Sequence, residues 1–193
     1  MLLLWFLLLE VSGSWVEAVL PLYAHDTGTL TPSGVGLLFT YAAGLVVTAQ
    51  MLVSRITANR SALSLALSAG AAFVLAFGVL IFAAGLAGLV VALTLFAFAD
   101  MLVGPLVPTA VSQLAPPRRR ASYMAATSVA NDLKDSLGPA TGTALYALSA
   151  RLPWIVGIPL AAIAAIGLGG ALVRRSPDGV PSPRTSTLPP ADR

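Results

Sequence analysis

Six charged side chains stand where the chain is otherwise apolar, and they are the residues whose chemistry needs explaining. Glu10 and Glu17 flank Ser14, and the i, i+4, i+7 spacing puts all three on one helix face. Asp100 stands alone in FAFADMLVG. Asp132, Lys134 and Asp135 crowd into SVANDLKDSLGPATG, residues 128–142. A charge at the centre of a bilayer costs at least ~2.5–3.5 kcal/mol, so such residues normally face a protein interior or a wet cavity. Five acids (Glu10, Glu17, Asp100, Asp132, Asp135) against Lys134 alone leave a formal charge of −4. Either some of these acids carry protons or a cation sits among them. The plainer alternative is a structural ion pair between Lys134 and one acid, with Glu17 at a water-exposed mouth.

Other chemistries find no residues. There is no Cys, which removes thiol catalysis, disulfides and Cys-based zinc sites. His25 is the single histidine. The chain lacks G-x-x-x-x-G-K-[ST], G-x-S-x-G and H-E-x-x-H. The expectation is therefore no enzyme, no metal and no cofactor.

The elements that must position these charges are membrane helices. The chain has 193 residues, 57% hydrophobic and 10% charged, where an average soluble domain is about 25% charged. Its mean hydropathy is +0.87. A spanning helix needs about 20 apolar residues. Six segments qualify, at about 2–23, 33–53, 61–82, 86–108, 121–149 and 153–173. Only AAG separates the third and fourth, which predicts a tight antiparallel hairpin. A signal-peptide reading of the first segment is disfavoured, because it lacks a basic leader region. The fifth is the most polar; its alternative is an amphipathic helix lying on the membrane surface. Residues 1–174 then form one six-helix bundle, and 175–193, rich in Pro and Ser, a disordered tail.

Arginine placement tests this count. With the N-terminus cytoplasmic, Arg55 and Arg60 fall in one inner loop and Arg118, Arg119 and Arg120 in the next. Arg174, Arg175, Arg184 and Arg193 follow the last span. Only Arg151 falls in an outer loop. The bias fits both termini in the cytoplasm and a multi-pass protein of the plasma membrane. It also explains the net charge of +3 without nucleic acid as a partner. Arg118–Arg120 read as topology signals rather than a binding site.

Polar side chains concentrate in the first, second, fourth and fifth helices. The second carries Thr40, Tyr41, Thr48 and Gln50. The third has only serines near its start and the sixth has no polar side chain. This predicts four central and two peripheral helices, arranged as two inverted three-helix repeats, as in secondary carriers. On the fifth helix, Val129, Leu133, Leu137, Ala126 and Ala130 share an apolar arc. Ser128, Asn131, Asp132, Asp135 and Thr143 lie opposite. Lys134, about 100° from Asp135 on the wheel, is expected to reach an acid on another helix. Gly138 and Gly142 form a G-x-x-x-G that permits close helix approach, with Pro139 expected to bend the helix between them. Gly167, Gly169 and Gly170 read as packing positions in the sixth.

Residues 100–146 also resemble a family. Asp100 with Pro105, then Leu114-Ala115-Pro116, Arg118–Arg120, Tyr123-Met124 and Gly138-Pro139 with Gly142 are similar to the second half of major facilitator superfamily transporters of the bacterial drug:proton antiporter type. VEAVLPLYAHDTGTLTPSGVGLLFTYAAGLVVTAQ resembles the first two helices of that half. The loop MLVSRITANRS keeps Arg55 and Arg60 but has Ser54 where the family carries an acid, and NDLKDS is more charged than the family's segment. The resemblance implies half of a twelve-helix carrier, with a small-molecule substrate bound against a missing N-terminal half or a second copy. Glu10 and Asp132, each counted to about mid-membrane depth along its helix, are the leading proton or cation sites, with Asp100, Asp135, Lys134, Gln50 and Asn131 lining the cavity. The alternative is a non-transporting subunit or fragment packed on another membrane protein.

Overall fold

A computed structural model describes residues 1–82, 85–114 and 120–174. The described residues form six α-helices and no strand: α1 Leu2–Asp26, α2 Pro32–Thr57, α3 Ala62–Phe82, α4 Gly85–Leu114, α5 Arg120–Leu148 and α6 Leu152–Val173. Five of them are long and apolar enough to cross a membrane: α1, α2, α3, α6 and the Gly85–Leu106 part of α4. The chain is thus a helical protein suited to several membrane crossings. The exception, α5, carries the charged stretch. Arg118, Arg119 and the expected tail from Arg175 onward lie outside the described residues.

Local chemistry sets the helix ends. Thr31 caps α2, its side-chain oxygen accepting from the Gly34 amide at 3.3 Å, with Pro32 in the first turn. Ser61 does the same for α3, accepting from the Ser64 amide at 3.2 Å. Gly28 (φ +64°) follows α1 and Gly85 (φ +84°) opens α4, both in the region that favours glycine. Pro105 and Pro108 do not end the fourth helix near residue 108, as expected; α4 runs on to Leu114. Membrane helices tolerate proline where neighbouring groups satisfy the freed carbonyls.

Neighbouring helices pack in the order α5–α1–α6–α3–α4–α2, an arc whose two ends are α5 and α2. Weaker α4–α5 contacts reach across its open side. The back of the arc is dense. Phe73 and Phe77 of α3 and Trp154 of α6 are fully buried, and Trp154 stacks on Phe77 with ring centroids 6.3 Å apart. A methyl at Gly70 would collide with Ala165, and one at Gly157 would sit 2.8 Å from the Phe77 ring, so small residues let α3 and α6 approach. Gly167 and Gly169 likewise meet Trp5 and Leu63, whereas Gly170 faces nothing within 4 Å.

This corrects the expected ranking of helices. Those with few polar groups, α3 and α6, supply much of the core, while α2 buries only Leu38. Polar side chains fall both inside the bundle (Glu10, Ser12, Ser14, Thr127) and on its exposed surface (Thr40, Thr48, Gln50). They do not measure how much of a helix is covered, because core contact is made by apolar and small residues.

Candidate functional site

Where α1, α3, α4 and α5 converge, a cavity of about 10 Å³ is lined by Glu10, Gly13, Ser14, Glu17, Phe73, Phe96, Asp100 and Lys134. That volume is at the lower limit for one water. Its aromatic wall is a Phe73–Phe96 edge contact, centroids 5.2 Å apart at 68°.

Glu10 is the buried acid of the group, with 8% of its surface accessible. Its Oε2 lies 3.5 Å from Lys134 Nζ, and its Oε1 has no hydrogen-bond partner among the described residues. Lys134 therefore reaches an acid on another helix. It also sits 3.5 Å from Asp135 Oδ1, a neighbour that the wheel angle places out of reach. A four-carbon stem can fold back where a Cα direction alone would not allow it.

α5 is held on α1 by successive contacts, and the two helices run parallel. Beyond Glu10–Lys134, Gly138 lies directly on Ser14; a methyl there would collide with the Ser14 hydroxyl. Gly142 meets Trp15 and Val19, with an added Cβ 2.9 Å from Trp15 Cδ1. Trp15 Nε1 donates to Thr141 Oγ1 at 2.8 Å. At the far end, the Tyr146 hydroxyl donates to Asp26 Oδ2, also at 2.8 Å. Thr141→Val leaves the buried Trp15 N–H without its acceptor and is expected to lower stability by about 1–3 kcal/mol. Thermal unfolding of the purified variant, compared with Thr143→Val, checks this.

The α5 face in contact is thus Thr127, Ala130, Lys134, Gly138 and Gly142, whereas Val129, Leu133 and Leu137 are exposed. Val129, Leu133 and Leu137 of the apolar arc do not face the bundle, whereas Ala130 of that arc does, in a small-residue row with Lys134 that lets the helix axes close up. α5 is one continuous helix through Pro139.

The remaining expected residues are scattered. Asp132 and Asn131 are exposed on α5 and do not line the cavity. Asp100 lines it from α4. Asp135 lines an adjoining groove of about 510 Å³ between α1 and α5, with Ser14, Glu17, Ala18, Pro139 and Thr143. Gln50 is exposed on α2 and does not line the cavity. Arg55 and Arg60 are exposed at the α2–α3 turn, and Arg120 opens α5. Sequence reasoning does not single out Phe73 and Phe96; nothing distinguishes them there from other core aromatics. Among the described residues no three His, Cys, Asp or Glu side chains gather closely enough to hold a metal ion.

The site therefore pairs one buried carboxylate with one long-stemmed ammonium, beside a groove with two further acids. Compared with known proteins, the chain matches no family model, no curated protein and no solved structure.

Proposed function

We propose that the chain is one wall of a secondary carrier that moves small molecules against protons, with Glu10 as the proton-exchanging group. The observation that carries this reading is the Glu10–Lys134 pair: a carboxylate buried to 8% exposure, 3.5 Å from its counter-ion, with its second oxygen unpartnered beside a water-sized cavity. A proton arriving on Glu10 cancels its charge and frees Lys134 to shift toward Asp135. Loss of the proton draws it back. Such a pair stores two charge arrangements, which is what coupling requires. The groove beside it, with Glu17 and Asp135, is of a size that takes a small molecule.

The arc supports an inverted-repeat architecture. Exchanging α1–α3 with α4–α6 maps the α1–α5 contact onto α4–α2, and α1–α6 onto α4–α3. The motif resemblance in residues 100–146 supports the major facilitator type. In this reading, Met1, Arg55, Arg60 and Arg174 face the cytoplasm in the plasma membrane, and a second bundle covers the open side between α2 and α5. Asp132, exposed on α5, is a secondary candidate that the second bundle would cover.

Inside-out vesicles from cells expressing the full chain provide the test. Ethidium and tetraphenylphosphonium are added to vesicles holding an imposed pH gradient. The expected result is dissipation of the gradient by wild type and its loss in Glu10→Gln. Coupling that persists in Glu10→Gln would overturn the role given to Glu10. Inert wild-type vesicles would exclude a second copy as the other wall and leave a separate partner bundle or a non-transporting subunit, a reading to which the broadly uncovered α2 also lends itself.

A further inference from the structure

A second cavity opens at the other end of the arc, among the end of α2, the start of α3 and the last turns of α4. It measures about 380 Å³, the size of a small-molecule site. Its lining is graded along the bundle axis. Arg60 and Thr57 stand at the α2–α3 turn, beside the first turn of α3. Leu65 lies one turn into α3, and Met101 and Leu102 lie deeper, toward the middle of α4. From Met101 to Thr109 the cavity follows α4 for about 12 Å, at 1.5 Å per residue.

We infer that this cavity binds one anionic phospholipid, with the phosphate on Arg60 and the upper part of an acyl chain against Leu65, Met101 and Leu102. Three features favour a lipid. The cationic guanidinium is at the helix-end level, where head groups lie. The first α3 amides beyond those bonded to Ser61 add donors of the same sign. The deeper walls are apolar, which a free phosphate would not use. Basic pockets at helix ends that bind anionic head groups follow the same electrostatics. The proposal is independent of transport, so failure of either reading leaves the other standing.

The purified full chain in detergent is titrated with phosphatidylglycerol, phosphatidylcholine or glycerol phosphate. Binding is read by native mass spectrometry and by the shift in unfolding temperature. The expected result is at least ten-fold tighter binding of phosphatidylglycerol than of either comparison ligand. Arg60→Gln should reduce that preference at least five-fold. Leu65→Trp, which narrows the cavity one turn in from the α3 start, should weaken phosphatidylglycerol binding with Arg60 intact. Arg55→Gln, outside the cavity lining, should change the preference less than two-fold. Equal losses in Arg55→Gln and Arg60→Gln would mean diffuse surface attraction and overturn the site. Glycerol phosphate binding as tightly as the lipid would overturn the lipid assignment.

Discussion

Lys134→Met is expected to destabilise the chain by about 3 kcal/mol, and Glu10→Gln in the same chain to recover most of that loss. Removing one partner of a buried ion pair leaves the other charge without compensation, at about 3–5 kcal/mol. The lower end applies here for two reasons. At 3.5 Å the Glu10–Lys134 contact is longer than a tight charge-assisted hydrogen bond. Lys134 is also a quarter exposed, so it is only partly desolvated. The recovery is the decisive part. Two neutral side chains need no counter-ion, so the double variant should lie well above the sum of the single losses. Asp132→Asn is the control: an exposed carboxylate outside the cavity should change stability by less than about 0.5 kcal/mol. Unfolding in a denaturing detergent titration measures all four. A Lys134→Met loss no larger than that of the control would mean that the pair carries no coupling energy.

That cycle depends on a contact only half legible in the sequence. The number of helices follows from the length of apolar runs, and most helix ends fall within a few residues of where those runs stop. Both depend on local composition. That Lys134 crosses to another helix follows from its angle to its neighbours on the helical wheel. Which acid it meets does not follow, because that depends on how far α5 rotates about its own axis. The wheel sets the Val129–Leu133–Leu137 stripe behind a polar arc through Asn131, Asp132 and Asp135 that is expected to face the cavity. The structure points Ala130, Gly138 and Gly142 inward instead. In a membrane, lipid solvates leucine as well as a protein core does, so apolarity no longer decides the buried face. Close approach of backbones does, and small residues permit it. The same reasoning explains α2: its residues are apolar enough to span, yet little of it is covered within this chain. Depth along the helix favours Asp132, and depth can be counted from the sequence. Its exposure depends on rotation, which the sequence does not supply.

If small residues set that rotation, the steric contact at Gly138 should be measurable separately from the ion pair. In an uncrowded helix interior, Gly→Ala is favourable by about 1 kcal/mol through propensity alone. A methyl added at Gly44 on α2 would meet nothing within 4 Å, so Gly44→Ala should be neutral or stabilising. At Gly138 the added methyl meets Ser14 Oγ and Cβ, and overpacking costs about 1–3 kcal/mol. Gly138→Ala is therefore expected to be net destabilising, the opposite sign from Gly44→Ala. The next atom beyond Ser14 is the Val11 carbonyl oxygen, 3.7 Å away, an ordinary contact. Ser14→Gly removes both colliding atoms and should restore most of the loss. Gly138 lies one turn beyond Lys134, and Ser14 one turn beyond Glu10, so a wedge at this level must also loosen the pair below it. The Lys134–Glu10 coupling energy measured in a Gly138→Ala background should accordingly fall, and recover with Ser14→Gly. Coupling that stays constant while stability drops would show that α5 hinges at this level and keeps its lower half seated on α1.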